Sequence, residues 1–390
     1  MHFELTPEQQ SIRDAVNRVC ADFPESYWRE RDIDGVFPHA FYQAMGEAGW
    51  LGLAIPEQYG GAGLGVQEAA VMMQTVAQSG GCMSAASSIH VNVFGLMPVV
   101  VFGNDEQKKR MLPPMVKGQV KTCFGVTEPN TGLNTTKLKT RAERRGDRYV
   151  VQGQKVWIST AQVAEKILLL ARTTAAENLA ADDRSGGLSL FYTDMDRSKV
   201  DIRKIDKMGR KCVDSNELFI DGLEIPVEDR IGEEGKGFKY ILHGMNPERV
   251  LLASEAIGIG KLALGKAAEY ANERVVFDCP IGKNQGVQHP LARNWVELEA
   301  AELLMMKAAW LYDCGKACGA EANAAKYFAA EAGFRACEQA ILTHGGMGYS
   351  KEFHVERYLR EVLITRIAPV SREMILSYIA ERVLGLPKSY

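Results

Sequence analysis

A block of strand and turn patterns between Cys123 and Ser159 separates two regions of helical pattern, and this division constrains the fold most. β-Branched and aromatic residues alternate along its second half, from Tyr149 to Ser159, and the Gly146-Asp147 pair is typical of a tight turn. Further strand patterns continue to about Glu234. The sequence therefore predicts a sheet domain between two helical domains.

The flanking regions carry apolar residues at helical spacing. Near the start, Thr6-Pro7-Glu8 has the pattern of an N-cap, a proline in the first turn and an acid. After Gly235 four long helical patterns with apolar stripes favour an antiparallel four-helix bundle. These patterns span Pro247 to Phe277, His289 to Gly315, Glu321 to Thr343 and Val370 to Leu384.

We therefore predict a multidomain α+β protein with three domains. They are an N-terminal α-helical domain at residues 1–120, a middle sheet domain at 121–235 and a C-terminal helical bundle at 236–390. The length of 390 residues agrees with two or three packed units. Between the strand patterns, residues 174–187 are polar and predict a solvated loop.

Composition excludes several classes of partner. A formal charge of -3 gives no field for a polyanion, so we expect no nucleic-acid binding. The N-terminus lacks the pattern of a signal peptide, and the apolar run from Val91 to Phe102 is too short to span a bilayer. The expectation is a soluble, cytoplasmic protein with no membrane span.

The eight cysteines predict reduced thiols, because no secretory signal accompanies them. Cys314 and Cys318 are four residues apart and would share a helix face, which suggests a metal pair. No histidine or second cysteine pair with ligand spacing accompanies them, so two small core residues are the favoured interpretation. We predict no metal site.

Several motifs, in order along the chain, resemble those of the acyl-CoA dehydrogenases. Within and after the central block these are Thr127-Glu128-Pro129 with Gly132, and Lys155-x-Trp157-Ile158-Ser159. Later motifs are Asn246-Pro247-Glu248-Arg249, Arg274-x-x-Phe277 and His344-Gly345-Gly346-Met347-Gly348-Tyr349. The resemblance covers nearly the whole chain. It implies the acyl-CoA dehydrogenase fold, in which the middle domain is a small antiparallel β-barrel.

The resemblance also implies an activity. Members of this family use FAD to desaturate an acyl-CoA thioester between the α and β carbons. A carboxylate removes the α-proton while hydride leaves the β-carbon for flavin N5, and donors must hold the thioester oxygen. The implied electron acceptor is an electron-transfer flavoprotein. The implied assembly is a homotetramer built as a dimer of dimers.

Matched position by position, the resemblance implies two groups of cofactor-binding residues. The first borders the flavin within the same chain: Phe124, Val126, Thr127, Gly132, Leu133, Trp157 and Ser159. The second reaches FAD from elsewhere, in part from a neighbouring subunit: Arg274, Phe277, Gln285, Leu342, Gly345, Gly346, Ser371 and Glu373. Without the resemblance, Trp157 is an apolar residue of a strand and the glycine cluster is a helix stop.

The position of the usual catalytic base in this family holds a different residue in this chain. Many members carry their catalytic Glu where this chain has Pro369, which cannot accept a proton. A minority, including the isovaleryl- and long-chain-type enzymes, place it near the start of the first long C-terminal helix before an Arg, where this chain has Glu248-Arg249. We therefore expect Glu248 to be the base. The alternative is a first-turn acid favoured by the helix dipole.

Substrate contacts are expected from Leu133, Met245, Arg249 and Pro369. Leu133 stands where a family serine is usual, and Pro369 lacks a backbone N–H that relatives use on the thioester oxygen. Two alternative functions stay open, and these two departures from the family pattern motivate the second. One is an acyl-CoA oxidase or flavin monooxygenase of the same fold. The other is a flavin- or acyl-CoA-binding protein without dehydrogenation.

The run Lys207 to Arg210 has two interpretations from the sequence. It resembles a segment of the family barrel, or it is an exposed charged hairpin.

Overall fold

The computed structural model describes residues 4–180 and 185–389. The first domain is helical, as predicted. The Thr6 hydroxyl accepts from Gln9 N at 3.1 Å, and Thr6 N donates to the Gln9 side chain at 3.2 Å, so a capping box starts the first helix. The helices of the first domain are α1 (Pro7–Ala21), α2 (Glu25–Asp34), α3 (His39–Glu47), α4 (Val66–Val76), α5 (Cys82–His90), α6 (Met97–Phe102) and α7 (Asp105–Val116).

The middle domain is a sheet of eight strands. They are β1 (Thr122–Gly125), β2 (Arg141–Arg145), β3 (Arg148–Ser159), β4 (Lys166–Arg172), β5 (Leu188–Asp194), β6 (Val200–Lys204), β7 (Ser215–Pro226) and β8 (Arg230–Ile231). Their order is β6-β7-β3-β2-β4-β5-β8, with β1 on β4. Most ladders are antiparallel, but β1 pairs with β4 in parallel because about forty residues, not a hairpin, connect them.

The sheet folds over an apolar core. Tyr149 of β3 and Phe191 of β5 are buried with ring centroids 4.9 Å apart, and Leu169 and Leu218 belong to the same cluster. The inward-facing residues of distant strands therefore meet, as expected for a barrel-like domain.

The C-terminal domain is helical again. It contains α8 (Gly237–His243), α9 (Met245–Glu273), α10 (Gln285–Asp313), α11 (Gly319–His344), α12 (Val355–Val362), α13 (Ile364–Ile367) and α14 (Arg372–Arg382), with β9 (Val275–Val276) and β10 (Cys279–Pro280) after α9. The contacts of α9, α10 and α11 are rich in buried alanine, which lets long helices approach closely. The fourth bundle helix, α14, is the shortest and packs on α11. The predicted fold class is confirmed.

The first long helix ends earlier than predicted. It stops at Glu273 rather than at Phe277, and Arg274 already has extended dihedral angles. The strands β9 and β10 pair in antiparallel orientation and are connected by Phe277 and Asp278. Both of these residues have positive φ, at 53° and 63°. Two successive residues with positive φ match the type I′ turn of a tight hairpin. The adjacent β-branched Val275 and Val276 favour that strand over helix.

One further expectation was wrong, and the structure decides against one of the two interpretations of the segment at Lys207. Cys314 is exposed and lies after the end of α10, while Cys318 is buried before α11, so they do not share a helix face as two core residues. The segment at Lys207 is not an exposed charged hairpin, because Arg210 Nη1 donates to Ser87 at 3.0 Å and Lys207 Nζ donates to Ser215 at 3.0 Å. Part of the loop predicted at 174–187, residues 181–184, lies outside the described residues.

One stretch of the described residues is long and apolar enough to cross a membrane. It runs from Val66 to Phe102, longer than the run from Val91 that the sequence singled out. However, 67% of its most apolar window is buried inside the fold, as in the core helix of a soluble protein. Gly80, with φ of 100°, also interrupts its helical conformation. Length and composition alone are weak evidence for a membrane span.

Candidate active site

A buried ion pair holds the segment after β1 against β3. The ammonium group of Lys155 has no exposed surface and lies 3.0 Å from Glu128 Oε1. It also donates to the carbonyl oxygens of Val126 at 3.1 Å and Leu170 at 2.8 Å, so all three N–H groups are used. Burial lowers the pKa of Lys155 to about 8, against the effect of Glu128. The two sequence motifs thus form one structural unit.

Glu128 is fully bonded as well. Its Oε1 accepts from Thr140 N at 2.8 Å and its Oε2 from Lys139 N at 2.6 Å. Burial opposes ionisation, but the Lys155 charge and these donors outweigh it and hold the pKa of Glu128 below its usual value. Glu128 therefore stays ionised near neutrality and, with Lys155, holds the segment after β1 against β3.

Trp157 lies on an irregularity of β3 beside this unit. The ladder between β3 and β7 shifts register between Lys155 and Ile158, and Trp157 has a φ of 62°. Its side chain is 58% exposed. Positive φ is uncommon for a bulky residue, and such strain is frequent at ligand sites. Val156 N donates to Thr127 O at 2.9 Å, so Trp157 stands next to the segment after β1.

The other flavin-bordering candidates surround the same strands. Phe124 is half-buried, with its ring 6.0 Å from that of Phe94, and Val126 is almost fully buried. Thr127 is half-buried. Ser159 is half-buried at the end of β3, opposite Ser215 of β7. These predicted residues lie in β1 and the segment after it and in β3, which the Val156–Thr127 hydrogen bond joins.

The turn after Glu128 offers a hydroxyl and open space. Thr131 Oγ1 is buried, and none of the described residues hydrogen-bonds to it. A Cβ added at Gly132 would meet nothing within 4 Å, and the neighbouring Leu133 is exposed. Since buried polar groups are nearly always hydrogen-bonded, the Thr131 hydroxyl is suited to a ligand. Sequence reasoning missed Thr131, although it lies inside the quoted motif.

The second group of cofactor candidates lies on exposed surface. Arg274 and Gln285 are exposed, and Phe277 at the tip of the β9–β10 hairpin is 95% exposed. Leu342 is also exposed, and Gly345 and Gly346 have open space where a Cβ would stand. No hydrogen bond or ring contact among the described residues joins this group to Trp157. These residues can therefore bind FAD only where a ligand or another chain covers this surface.

Glu248 lies in the first turn of α9. Its Oε2 is buried and has no hydrogen-bond partner in the described part of the chain. Burial raises the pKa of Glu248 to about 7, although the charges of His90, Arg249 and Lys326 oppose this rise. A carboxylate whose pKa lies near neutrality can both take and release a proton, which is the requirement for a general base.

Positive groups flank Glu248. Arg249 Nη1 donates to Asn246 at 2.9 Å, while its buried Nε lacks a partner among the residues described. Lys326 of α11 is almost fully buried and donates to the carbonyl oxygen of Val370 at 2.7 Å. Burial and, to a smaller extent, Arg249 lower the pKa of Lys326 to about 8, against the opposing effect of Glu248. Lys326 thus links the Pro369 segment to Glu248, a connection that the sequence did not indicate.

The remaining candidates have other contacts. The Ser371 hydroxyl accepts from Met374 N at 3.3 Å and caps α14. Glu373 is exposed and lies 2.9 Å from Arg372 Nε. Met245 and Pro369 are half-buried at α9 and before α14. The cofactor roles of Ser371 and Glu373 and the substrate roles of Met245 and Pro369 stay predictions.

Comparisons with known proteins identify the family. Family models for the N-terminal, middle and C-terminal domains of acyl-CoA dehydrogenases match residues 6–119, 123–223 and 235–384. The chain belongs to the acyl-CoA dehydrogenase family. The acyl-CoA dehydrogenase FadE12 of Mycobacterium tuberculosis is 36% identical over 100% of this chain and 99% of its own.

Solved structures agree with this assignment. Butyryl-CoA dehydrogenase of Megasphaera elsdenii superposes with a TM-score of 0.93 at 29% identity, covering 98% of this chain and all of its own. A chain from a study of the electron transferring flavoprotein of Acidaminococcus fermentans gives a TM-score of 0.93 at 30% identity, over 98% and 100% of the two chains. As an acyl-CoA dehydrogenase family member, the protein is an oxidoreductase with FAD as its cofactor.

The residues present fit that cofactor. The unpartnered Thr131 hydroxyl, the exposed ring of Trp157 and the open space at Gly132 lie around one loop and strand pair. An isoalloxazine ring needs a flat apolar neighbour and polar groups at its edge, and these residues offer both. Trp157, Thr131 and the backbone of the segment 126–128 are therefore the groups that would hold the flavin.

Proposed function

We propose that this protein removes the α-proton and the β-hydride of an acyl-CoA thioester and forms the trans-2-enoyl-CoA, with Glu248 as base. The observation that carries the proposal is the buried, unpartnered Oε2 of Glu248 in the first turn of α9. The position of the more common family base holds Pro369, which has no proton acceptor. Glu255 also has an unpartnered Oε2, but its Oε1 is bonded to His90, so Glu248 is the more available carboxylate of the two.

The pKa of Glu248 fits the chemistry. An α-proton beside a thioester is a weak acid, so a base of ordinary carboxylate pKa gains little driving force. Burial raises the pKa of Glu248 to about 7. Because the base must be deprotonated, the rate of proton removal rises with pH and levels off above about pH 8. The charges of His90, Arg249 and Lys326 oppose the rise in the pKa and favour the carboxylate form.

The redox half of the proposal follows from the family. FAD, when bound, would supply the acceptor for the hydride of the β-carbon. We propose an electron-transfer flavoprotein as the acceptor of the electrons, and the similarity to a chain from work on such a flavoprotein supports this choice. An oxidase of the same fold would instead deliver the electrons to oxygen and release peroxide.

We also propose that the protein assembles as a homotetramer, a dimer of dimers. The support is the set of large apolar side chains exposed on the C-terminal domain. Phe277 is 95% exposed at its hairpin tip, and Trp295 and Trp310 of α10 are exposed as well. Large exposed apolar surface often marks an interface, so we expect a neighbouring subunit to cover these side chains. A cytoplasmic location stays a prediction.

Anaerobic titration with a panel of acyl-CoAs tests the proposed reaction. We expect at least one acyl-CoA to bleach the flavin absorbance, and the electron-transfer flavoprotein to restore it. Rapid reoxidation by air with stoichiometric peroxide would favour the oxidase. A yellow, folded protein that no acyl-CoA reduces would contradict the proposal and favour a binding protein.

A further inference from the structure

A second buried carboxylate lies on the same helix as Glu248. Glu255 follows it by seven residues, which is two helical turns or about 10.5 Å along the axis. The two side chains therefore share one face of α9. Glu255 is fully buried, and its Oε1 lies 2.6 Å from His90 Nδ1. Its Oε2 is buried without a hydrogen bond from the residues described.

His90 stands between this face and the flavin-bordering strand. It is the last residue of α5, and its side chain is 12% exposed. Its ring contacts Phe94 edge-on, with centroids 4.7 Å apart, and the Phe94 ring lies 6.0 Å from that of Phe124 in β1. A contiguous series of contacts thus joins the carboxylates of α9 to the candidate flavin segment.

The charges around His90 favour its protonated form. Burial disfavours a charged ring, but Glu255 outweighs burial, so the pKa of His90 is raised above its ordinary value. Glu248 raises it further, and Arg210, from the segment between β6 and β7, lowers it.

Charged groups on three helices affect the pKa of Glu248. They are His90 from α5, Arg249 and Glu255 from α9, and Lys326 from α11. Among the charges, His90 has the largest effect on Glu248 and favours the carboxylate, whereas Glu255 acts in the opposite direction. The imidazolium of His90 is thus the main charge that offsets the burial of Glu248.

We propose that His90, held by Glu255, is a positioning residue that keeps Glu248 in the carboxylate form and so ready to accept the substrate proton. The inference rests on the proposed role of Glu248. His90 does not itself touch the reacting atoms in this account. Glu255 fixes the ring through Nδ1 and supplies the partner that keeps it charged. Loss of the His90 charge should therefore shift the midpoint pH at which Glu248 titrates.

The test is a pH titration of the oxidised holoenzyme by difference infrared spectroscopy. The protonated-carboxyl band that is missing in Glu248→Gln reports the titration of Glu248 without any turnover. In His90→Gln we expect the midpoint of this band to move upward by about one pH unit, since a cation is lost and Glu255 stays. His90→Lys, which restores a cation, should bring the midpoint back toward that of the wild type.

Two further variants complete the design. His39→Gln removes an exposed histidine of α3 and should leave the midpoint unchanged. The double variant His90→Gln/Glu255→Gln removes both charges, so its midpoint should lie between those of the wild type and His90→Gln. The double variant avoids an unpaired buried carboxylate, so it can be titrated even if His90→Gln does not fold.

Each contrary result is distinct. An unchanged midpoint in folded His90→Gln, or a double variant at or below the wild-type midpoint, would show that His90 only supports packing. No Glu248 band between about pH 5 and 9 would also overturn the inference. If instead no acyl-CoA reduces the flavin while the midpoint moves as expected, the proposed reaction fails and the coupling of His90 to Glu248 stands.

Discussion

At the residue scale, two buried glutamates show how environment decides the role of a carboxylate. Glu128 is paired with Lys155 and accepts two backbone N–H groups, so its pKa lies below the usual value despite burial. Glu248 leaves Oε2 without a partner, and burial raises its pKa to about 7. The first is committed to structure, and the second is available for proton transfer.

Removal of the Lys155 ammonium tests the structural role. Lys155→Met leaves Glu128 buried without its counter-ion, so we expect a loss of about 3 kcal/mol or more in stability. Lys166→Met is the matched control on β4, the next strand along the chain, because it breaks the pair with the exposed Asp194. That loss should stay below about 1 kcal/mol. Thermal unfolding of the two variants compares them, and equal midpoints would contradict the structural role.

Sequence patterns predicted some site residues and not others, for a physical reason. Glu248 could be found because Pro369 removes the usual base and the motif supplies another carboxylate. Thr131, His90 and Lys326 carry no local signal. Their importance depends on a missing partner or a contact across domains, and those exist only after packing.

At the element scale, small residues let α9 pass close to its neighbours. A Cβ at Gly258 would lie 2.4 Å from the carbonyl oxygen of Gln74 in α4. A Cβ at Gly333 of α11 would lie 2.5 Å from the carbonyl oxygen of Ala256. These close approaches fix the position of the helix that carries Glu248 and Glu255.

Gly258→Ala should therefore destabilise the protein by about 1–3 kcal/mol, because backbone atoms must move to admit the methyl group. Gly265→Ala on the same helix is the control. A Cβ there meets nothing within 4 Å, so the substitution should stabilise by about 0.5–1 kcal/mol. Opposite shifts in the thermal midpoint are expected. A Gly258→Ala variant as stable as the parent would contradict the close packing.

Element types were predictable and several element ends were not. The long helices and the strands β3, β4, β5 and β7 follow from their periodicity. The end of α9 at Glu273 does not, because the helical pattern continues and the hairpin depends on positive φ at Phe277 and Asp278. The exposure of Cys314 likewise depends on where α10 stops.

At the scale of the whole molecule, one series of contacts joins all three domains, from Phe124 of the sheet through Phe94 and His90 to Glu255 of α9. His90 comes from the N-terminal domain, Glu248 and Lys326 from the C-terminal helices, and Phe124 from the sheet. The inter-domain contacts include Asp313 at the end of α10, which accepts from Val66 N at 2.8 Å. The proposed active site therefore depends on the correct docking of folded domains.

The exposed cofactor candidates give a prediction at this scale. Arg274→Ala should weaken FAD binding about tenfold, because a charge-assisted contact to the diphosphate is lost while little packing changes. Arg18→Ala, on the exposed face of α1, should retain FAD like the wild type. Flavin content after gel filtration, with molar mass by light scattering, measures both. A folded monomer that retains FAD would contradict a site shared between subunits.

Single-turnover reduction of the flavin by Glu248→Gln tests the central claim most directly. Glu269→Gln, an exposed change on the same helix, is the matched control and should reduce at the wild-type rate. In stopped-flow experiments with a bound acyl-CoA, we expect reduction of Glu248→Gln to be slower by about two to four decades. Near-normal reduction by Glu248→Gln would contradict the account and direct attention to Glu255 or Glu373.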